Sequence, residues 1–463
     1  PVEIVRNNDN VPHIFGKTDE DVFFALGFAH AQDRLWQMTM LRRTVQGRLS
    51  EIFGQPTVQV DELMRRLDLY GLALQSVEAQ DPATRAALEA YAAGVNAWIG
   101  EINEGARGRG APEFFLFSPE IAAWAPADSI AILKLMALQL GKSAQNEVLR
   151  ARVSLLLPPE RLADILPDDP GQGVAALPDY ASLVPGVTPL SRPVDFALGP
   201  FSPVSEPAQA GASNAWAAAP GRSAAGGSLL ANDPHLDLTA PTIWYLARLE
   251  LSSGGVIGGT VPGIPFVLIG RSDRLGWGLT TANLDDKDFL IEELNPDNPE
   301  EYRTPEGWAT FESRQSIITV KDAEPVTLTL RWSRNGPILT GAQFDVGTIT
   351  PPGHVAALSW TALSGADTSM TSAFRLMKAT TVAEALEAGR LHVAPAQNMM
   401  LADGDGIALQ LVGAMPARDP AHPSKGRMPV LGAEPAAGFK GVLPYEDNPR
   451  FVNPESGLLG NTN

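Results

Sequence analysis

Residues 166–212 run from Leu166 into PDDPGQGVAALPDYASLVPGVTPLSRPVDFALGPFSPVSEPAQAGA, a stretch dense in proline, glycine, serine and alanine with no sustained hydropathy period. A segment of this composition continues neither a helix nor a strand, and it reads as a linker or spacer. It divides the chain into residues 1–165 and residues 213–463, which follow different periods.

The first region reads mainly as helix. Thr18 with Asp21 three residues on resembles a capping box, and the apolar positions of DVFFALGFAHAQDRLWQMTMLRR recur at 3.6-residue spacing up to about Gly47. Asp81 and Pro82 form an N-cap and first-turn pair opening RAALEAYAAGVNAWIGEI, and SIAILKLMALQLGKSAQNEVLRARVSLLL reads as one largely buried third helix. After Ser213 the pattern changes to short segments such as SLLAND, GVIGGTV, FVLIG, QSIITV, VTLTLRWS and IALQLVG, with one helix at TVAEALEAGR. Turn residues separate them, so this region is strand-rich and the whole is of the α+β class.

At 463 residues and 44 % hydrophobic content, the chain can bury a large core. Its apolar runs are broken well before the roughly 18 residues of a membrane helix, and no signal-like segment opens it; any export signal is expected to be removed or upstream. A net charge of −18 repels phosphate backbones, which argues against a nucleic-acid partner. The absence of cysteine excludes thiol catalysis, disulfides and cysteine-based zinc sites. Imidazole chemistry is left to His13, His30, His235, His354, His392 and His422.

The stretch AGASNAW, residues 210–216, sets one serine among small residues. A nucleophile elbow needs a strand entering the serine and a helix leaving it. Here EPAQAGA has no strand pattern, and NAWAAAPGRSAAGG places Pro220 and glycines where the helix would be. The residues instead predict a strand that begins at Ser213 and turns near Pro220, behind a long spacer. Cleavage of the Ala212–Ser213 bond would give Ser213 a hydroxyl and an α-amine together. An α-amine titrates near ~8, close enough to neutrality to act as the serine's own general base.

Four ordered blocks resemble the penicillin acylase family of N-terminal nucleophile hydrolases: VPHIFGKTDEDVFFALGFAHAQDRLWQMTMLRRTVQGRLSEIFG, SNAW with NDPHL, WGLTTANLDDKDF, and NPESGLLGNTN. They span nearly the whole chain. The resemblance implies an αββα sandwich and a precursor that cuts itself before Ser213 and sheds the spacer, leaving an α chain and a β chain as a heterodimer, exported to the periplasm or beyond. It implies an acylase that takes a small acyl-amide substrate and cleaves the amide bond between an acyl side chain and an amine, the amine being part of a β-lactam nucleus, an acyl homoserine lactone or a lipopeptide.

Residue by residue, the resemblance makes Ser213 the nucleophile, the Thr281 backbone N–H one oxyanion donor and Asn463 the other, with Asn461 as the fallback. It gives His235 the part of positioning or tuning the serine's amine. It implies structural calcium held by Glu147, Asp285, the Lys287 carbonyl and Asp288, and no organic cofactor. The family pattern runs on past Asn463 with another asparagine, an arginine and a further calcium ligand. Leu236 and Ile269 stand where benzyl-selective members carry phenylalanine, and LMALQLG adds aliphatic side chains, which favours an aliphatic acyl group.

Two rival readings carry their own consequences. An internal Ser-His-Asp hydrolase requires an elbow around Ser213 and activity in the uncut chain. An exported, calcium-binding protein that keeps the acylase fold without chemistry would stay uncut and inert.

Overall fold

The long helix Asp19–Gln46 starts and stops where its sequence says. The Thr18 hydroxyl accepts the Asp21 N–H at 3.2 Å, and Gly47, at φ 61°, closes the helix with its N–H on the Arg43 and Thr44 carbonyls. The computed structural model describes residues 1–105, 110–158, 161, 178–188, 213–236 and 239–462.

Helix Pro82–Asn103 opens on Asp81, whose carboxylate accepts the Thr84 N–H at 2.8 Å, and it packs along the long helix. Two glycines set how close the pair comes. A methyl group on Gly94 would lie 1.8 Å from the Phe24 carbonyl oxygen, and one on Gly27 would lie 2.1 Å from that of Tyr91. Backbone touches backbone here, and no rotamer can relieve the clash. Gly94→Ala is therefore expected to destabilise the protein by about 3 kcal/mol or more, read as a lowered urea midpoint against wild type; an unchanged midpoint would show that the helices can separate freely.

His30 ties this helix pair to the strand region. Its imidazole, 0 % exposed, lies 2.7 Å from the Tyr91 hydroxyl through Nδ1 and 2.9 Å from the Thr260 hydroxyl through Nε2. The Thr260 hydroxyl donates to the Tyr245 carbonyl, so it accepts from His30 Nε2–H. Tyr91 accepts the Gly263 N–H and donates to Nδ1. One tautomer satisfies every group.

The expected third helix is two helices, Pro126–Leu140 and Ser143–Ser154. The break falls at Gly141, extended at φ −93° and ψ 128°, where a Cβ would sit 2.4 Å from the buried Lys287 ammonium. The first region also supplies strands Glu3–Arg6 and Pro12–Phe15, and the latter pairs in parallel with Tyr245–Leu251. These open a nine-stranded sheet that continues through Gly254–Thr260, Ile269–Ser272, Leu275–Thr281, Gln397–Asp403, Ile407–Val412 and Arg450–Val452.

Both faces of that sheet are covered. Along Gln397–Asp403, Met399 and Leu401 join the core beneath the helices, whereas Met400 and Ala402 pack with Ala215 and Ala217. The alanines belong to a three-stranded sheet, Leu458–Thr462, Asn214–Ala218 and Leu229–Asp233. Helices, large sheet and small sheet thus stack as layers of an α+β sandwich, and the run MMLA, residues 399–402, reads as continuously apolar because it is buried on both sides. An eight-stranded sheet that includes Lys287–Asn295 and His354–Trp360 lies beside it.

Most of the 166–212 stretch lies outside the described residues, but 178–188 is described and packed. Asp179 caps the short helix Tyr180–Leu183, and buried Tyr180 donates its hydroxyl to the Ile349 carbonyl at 2.9 Å. Part of the expected spacer is thus docked on the core.

Candidate active site

Ser213 immediately precedes the strand Asn214–Ala218, which ends before the turn at Pro220–Arg222. This is the strand-from-serine arrangement read in the sequence, with no helix leaving the serine. The residue is 4 % exposed, and its hydroxyl accepts the backbone N–H of His235 at 3.2 Å. The His235 ring points elsewhere: it is 58 % exposed, with Nε2 3.4 Å from Asp233. What His235 gives Ser213 in this structure is its main chain.

Register places further polar groups around the serine's strand. Ala215 lies directly opposite Asn232 on one side and Asn461 on the other, so both asparagines share its inward face. Asn232 donates to the Asn214 carbonyl at 2.8 Å and to the Leu279 carbonyl at 3.1 Å, and accepts the Leu279 N–H at 3.2 Å. It stitches the serine's strand to the large sheet. The Asn461 carbonyl oxygen accepts from the Thr280 hydroxyl and, at 3.4 Å, from the Asn398 amide, which also reaches the Thr280 hydroxyl at 3.2 Å. The amide nitrogen of Asn461 is thereby the end held ready to donate. Asn463 lies outside the described residues.

A cavity of about 80 Å³ opens at Ser213 and is shared by Thr281. Leu236 and Ile269 line it, as do Met136 and Leu140 of LMALQLG. These aliphatic side chains, named from the sequence, converge on one space. The helix that carries them is fixed from the opposite side by Lys134, fully buried, which donates to Asp367 at 2.8 Å and to the carbonyls of Ala362 and Ser364 at 3.1 Å. Asp367 in turn accepts from Ser369, another cavity residue. The wall is braced by a satisfied charge pair.

Of the expected calcium residues, Glu147, Asp285 and Asp288 gather about Arg418. Glu147, on helix Ser143–Ser154, accepts the Phe289 N–H at 2.7 Å through one oxygen, and its other oxygen is buried without a hydrogen-bond partner. Burial first, then repulsion from Asp288 and Asp285, pushes its carboxyl well above the usual carboxylate range. Asp288 and Asp285 both face the Arg418 guanidinium. Lys287 turns its ammonium to Asp286 at 2.7 Å and over the Trp360 ring. Among the described residues, no three acidic or imidazole side chains are arranged to share an ion, so the geometry does not fit the expected calcium cage.

Sequence reasoning did not reach Asn232, Thr280 and Asn398. Each is an ordinary strand residue whose part depends on register, and only NDPHL, WGLTTAN and the QN of PAQNMM mark their neighbourhoods.

The sequence profile of the family described as Penicillin amidase matches residues 1–463. The chain belongs to the penicillin amidase family. Among relatives, acyl-homoserine lactone acylase QuiP of Pseudomonas aeruginosa is 29% identical over 100% of this chain and 54% of its own length. Penicillin acylase 2 proenzyme of a Pseudomonas species (strain SE83) is 31% identical over 100% of this chain and 58% of its own. A solved structure of a thermostable penicillin G acylase from Alcaligenes faecalis matches 54% of this chain and 43% of its own at 24% identity, with a TM-score of 0.48. The chain thus spans little more than half the length of these two relatives. No helix among the described residues is long and apolar enough to cross a membrane.

Proposed function

We propose that this protein is a self-processing acylase that hydrolyses the amide bond between an aliphatic acyl chain and an amine. The single observation that carries the reading is Ser213 at the head of a strand, nearly buried, lining an apolar cavity together with Thr281. Cleavage of the Ala212–Ser213 bond turns Ser213 into the N-terminus of a second chain that stays paired with the first. The relative named as a proenzyme supports that step. The freed α-amine takes the hydroxyl proton as Oγ attacks the acyl carbon, and returns it to the departing amine nitrogen; water then hydrolyses the acyl-enzyme by the same base.

The tetrahedral intermediate carries a negative oxygen that needs preorganised donors, worth ~3 kcal/mol each. The Thr281 backbone N–H is one. The second is an asparagine amide of the closing segment: Asn463 by resemblance, or Asn461, whose clamped carbonyl supports it from the geometry. His235 aids the serine through its backbone N–H. Export to the periplasm or beyond belongs to the same reading.

The cavity walls argue for aliphatic acyl chains of limited length, and a relative named for acyl homoserine lactones suggests the substrate class to try first. The test is to incubate the purified protein with acyl homoserine lactones of graded chain length and with phenylacetyl amides. Released amine is measured together with the N-terminal sequences present. A new terminus Ser-Asn-Ala-Trp with aliphatic turnover is expected. An uncut chain that releases no amine would instead favour the inert scaffold.

Met136 gives a finer check, since its side chain forms part of the wall. Met136→Ala is expected to raise the kcat/KM ratio for longer over shorter acyl chains about tenfold. An equal fall for all chain lengths would make Met136 a core residue only.

A further inference from the structure

Arg418 ends the short strand Pro416–Arg418 and enters the acidic cluster formed by the loop and strand around Asp285 to Asp288. Its Nε donates to the two carboxylate oxygens of Asp288 at 2.8 and 3.2 Å. Nη2 donates to Asp288 at 2.5 Å and to the Asp285 carbonyl at 2.9 Å, and lies 3.4 Å from the Asp285 carboxylate. The planar guanidinium thus meets one carboxylate side by side and reaches a second residue with the same nitrogen, a fork geometry that ammonium or water cannot copy.

The surroundings are shaped to this group. Gly426, at φ 79°, leaves a space in which a Cβ would lie 2.2 Å from Arg418 Nε, and the Phe439 ring lies 5.5 Å from the guanidinium carbon. The Arg418 side chain keeps 15% of its surface exposed and the Asp288 side chain 2%. A buried carboxylate of this kind needs a permanent opposite charge close by.

We propose that the Arg418 guanidinium is the resident cation of this cluster, so that the fold is held here by a side chain and does not depend on a bound divalent ion. The inference is independent of the proposed chemistry, and its experiment needs no substrate.

Thermal unfolding of the full chain is followed in EDTA and in excess Ca²⁺, for wild type, Arg418→Lys and Arg418→Met. Wild type is expected to melt at the same temperature in both, within about 2 °C. Arg418→Met, which leaves Asp288 uncompensated, is expected to melt roughly 5 °C lower in EDTA and to recover part of the loss in Ca²⁺. Arg418→Lys is expected to fall between, having charge without the fork. If EDTA lowers the wild-type midpoint by several degrees and Ca²⁺ restores it, the cluster is a metal site and the proposal fails. It fails equally if Arg418→Met melts like wild type in EDTA. Should Arg418→Met not fold, the wild-type comparison and Arg418→Lys still decide.

Discussion

Ser213→Ala is expected to leave the chain uncut and to reduce amide hydrolysis by at least ~10³-fold, the largest effect of any single substitution in this protein. The two losses share a cause. In the proposed mechanism the hydroxyl attacks the Ala212–Ser213 bond during processing and the acyl carbon during turnover, and His235 offers no substitute: it supplies a backbone N–H, and its ring is turned to Asp233. Intact mass of the purified variant reads the first loss, and amine release reads the second. Residual cleavage in Ser213→Ala would mean that another nucleophile or a separate protease cuts the chain.

The same residue allows the base to be examined separately. An α-amine acts as a base only when unprotonated, so kcat/KM should rise with pH through a value near ~8, moved by whatever the amine meets in the site. Acetylating the new terminus should abolish turnover while leaving Ser213 in place. An internal Ser-His-Asp hydrolase would tolerate that modification.

How much of this could be read in advance depends on whether a feature is local. The ends of the long helix were legible because Thr18, Asp21 and Gly47 act within their own turns, and the strand leaving Ser213 was legible because Pro220 forbids its continuation. Helix Ser369–Lys378 carried no such signal: the Thr368 hydroxyl donates to the distant Leu391 carbonyl rather than capping the helix. The break at Gly141 likewise answers to Lys287, far along the chain. Ser213, Thr281, Leu236 and Ile269 were named from family resemblance and residue type, and the fold brings them to one cavity. Asn398 and Asn232 escaped because a strand asparagine says nothing until register shows what it faces. The acidic block at 285–288 shows the same limit. Its residues suggest a cation, and the cation it meets, Arg418, lies on another strand.

His30 provides the second large effect, on stability rather than turnover. Burial, and then repulsion from Arg34, lowers its pKa from 6.5 to about 3. A base with a depressed folded-state pKa binds fewer protons folded than unfolded. Its contribution to stability is complete above about 6.5 and is lost as the pH falls from there towards about 3. Each pH unit in that window costs about 1.4 kcal/mol, and the whole of it roughly 5 kcal/mol. The imidazole cannot escape by accepting a proton in place, because Nδ1 already receives the Tyr91 hydroxyl, which is itself fixed by the Gly263 N–H. His30→Gln, which can still donate and accept, is expected to be less stable than wild type at pH 7 by about 1–2 kcal/mol. The two urea-unfolding free energies should meet between about pH 5 and 6 and cross, wild type lying below the variant by about pH 4, since the variant has no imidazole to protonate. Parallel curves across that range would show that His30 is protonated as readily in the folded chain as in the unfolded one, and that the helix-to-sheet junction it occupies does not set the acid limit of the fold.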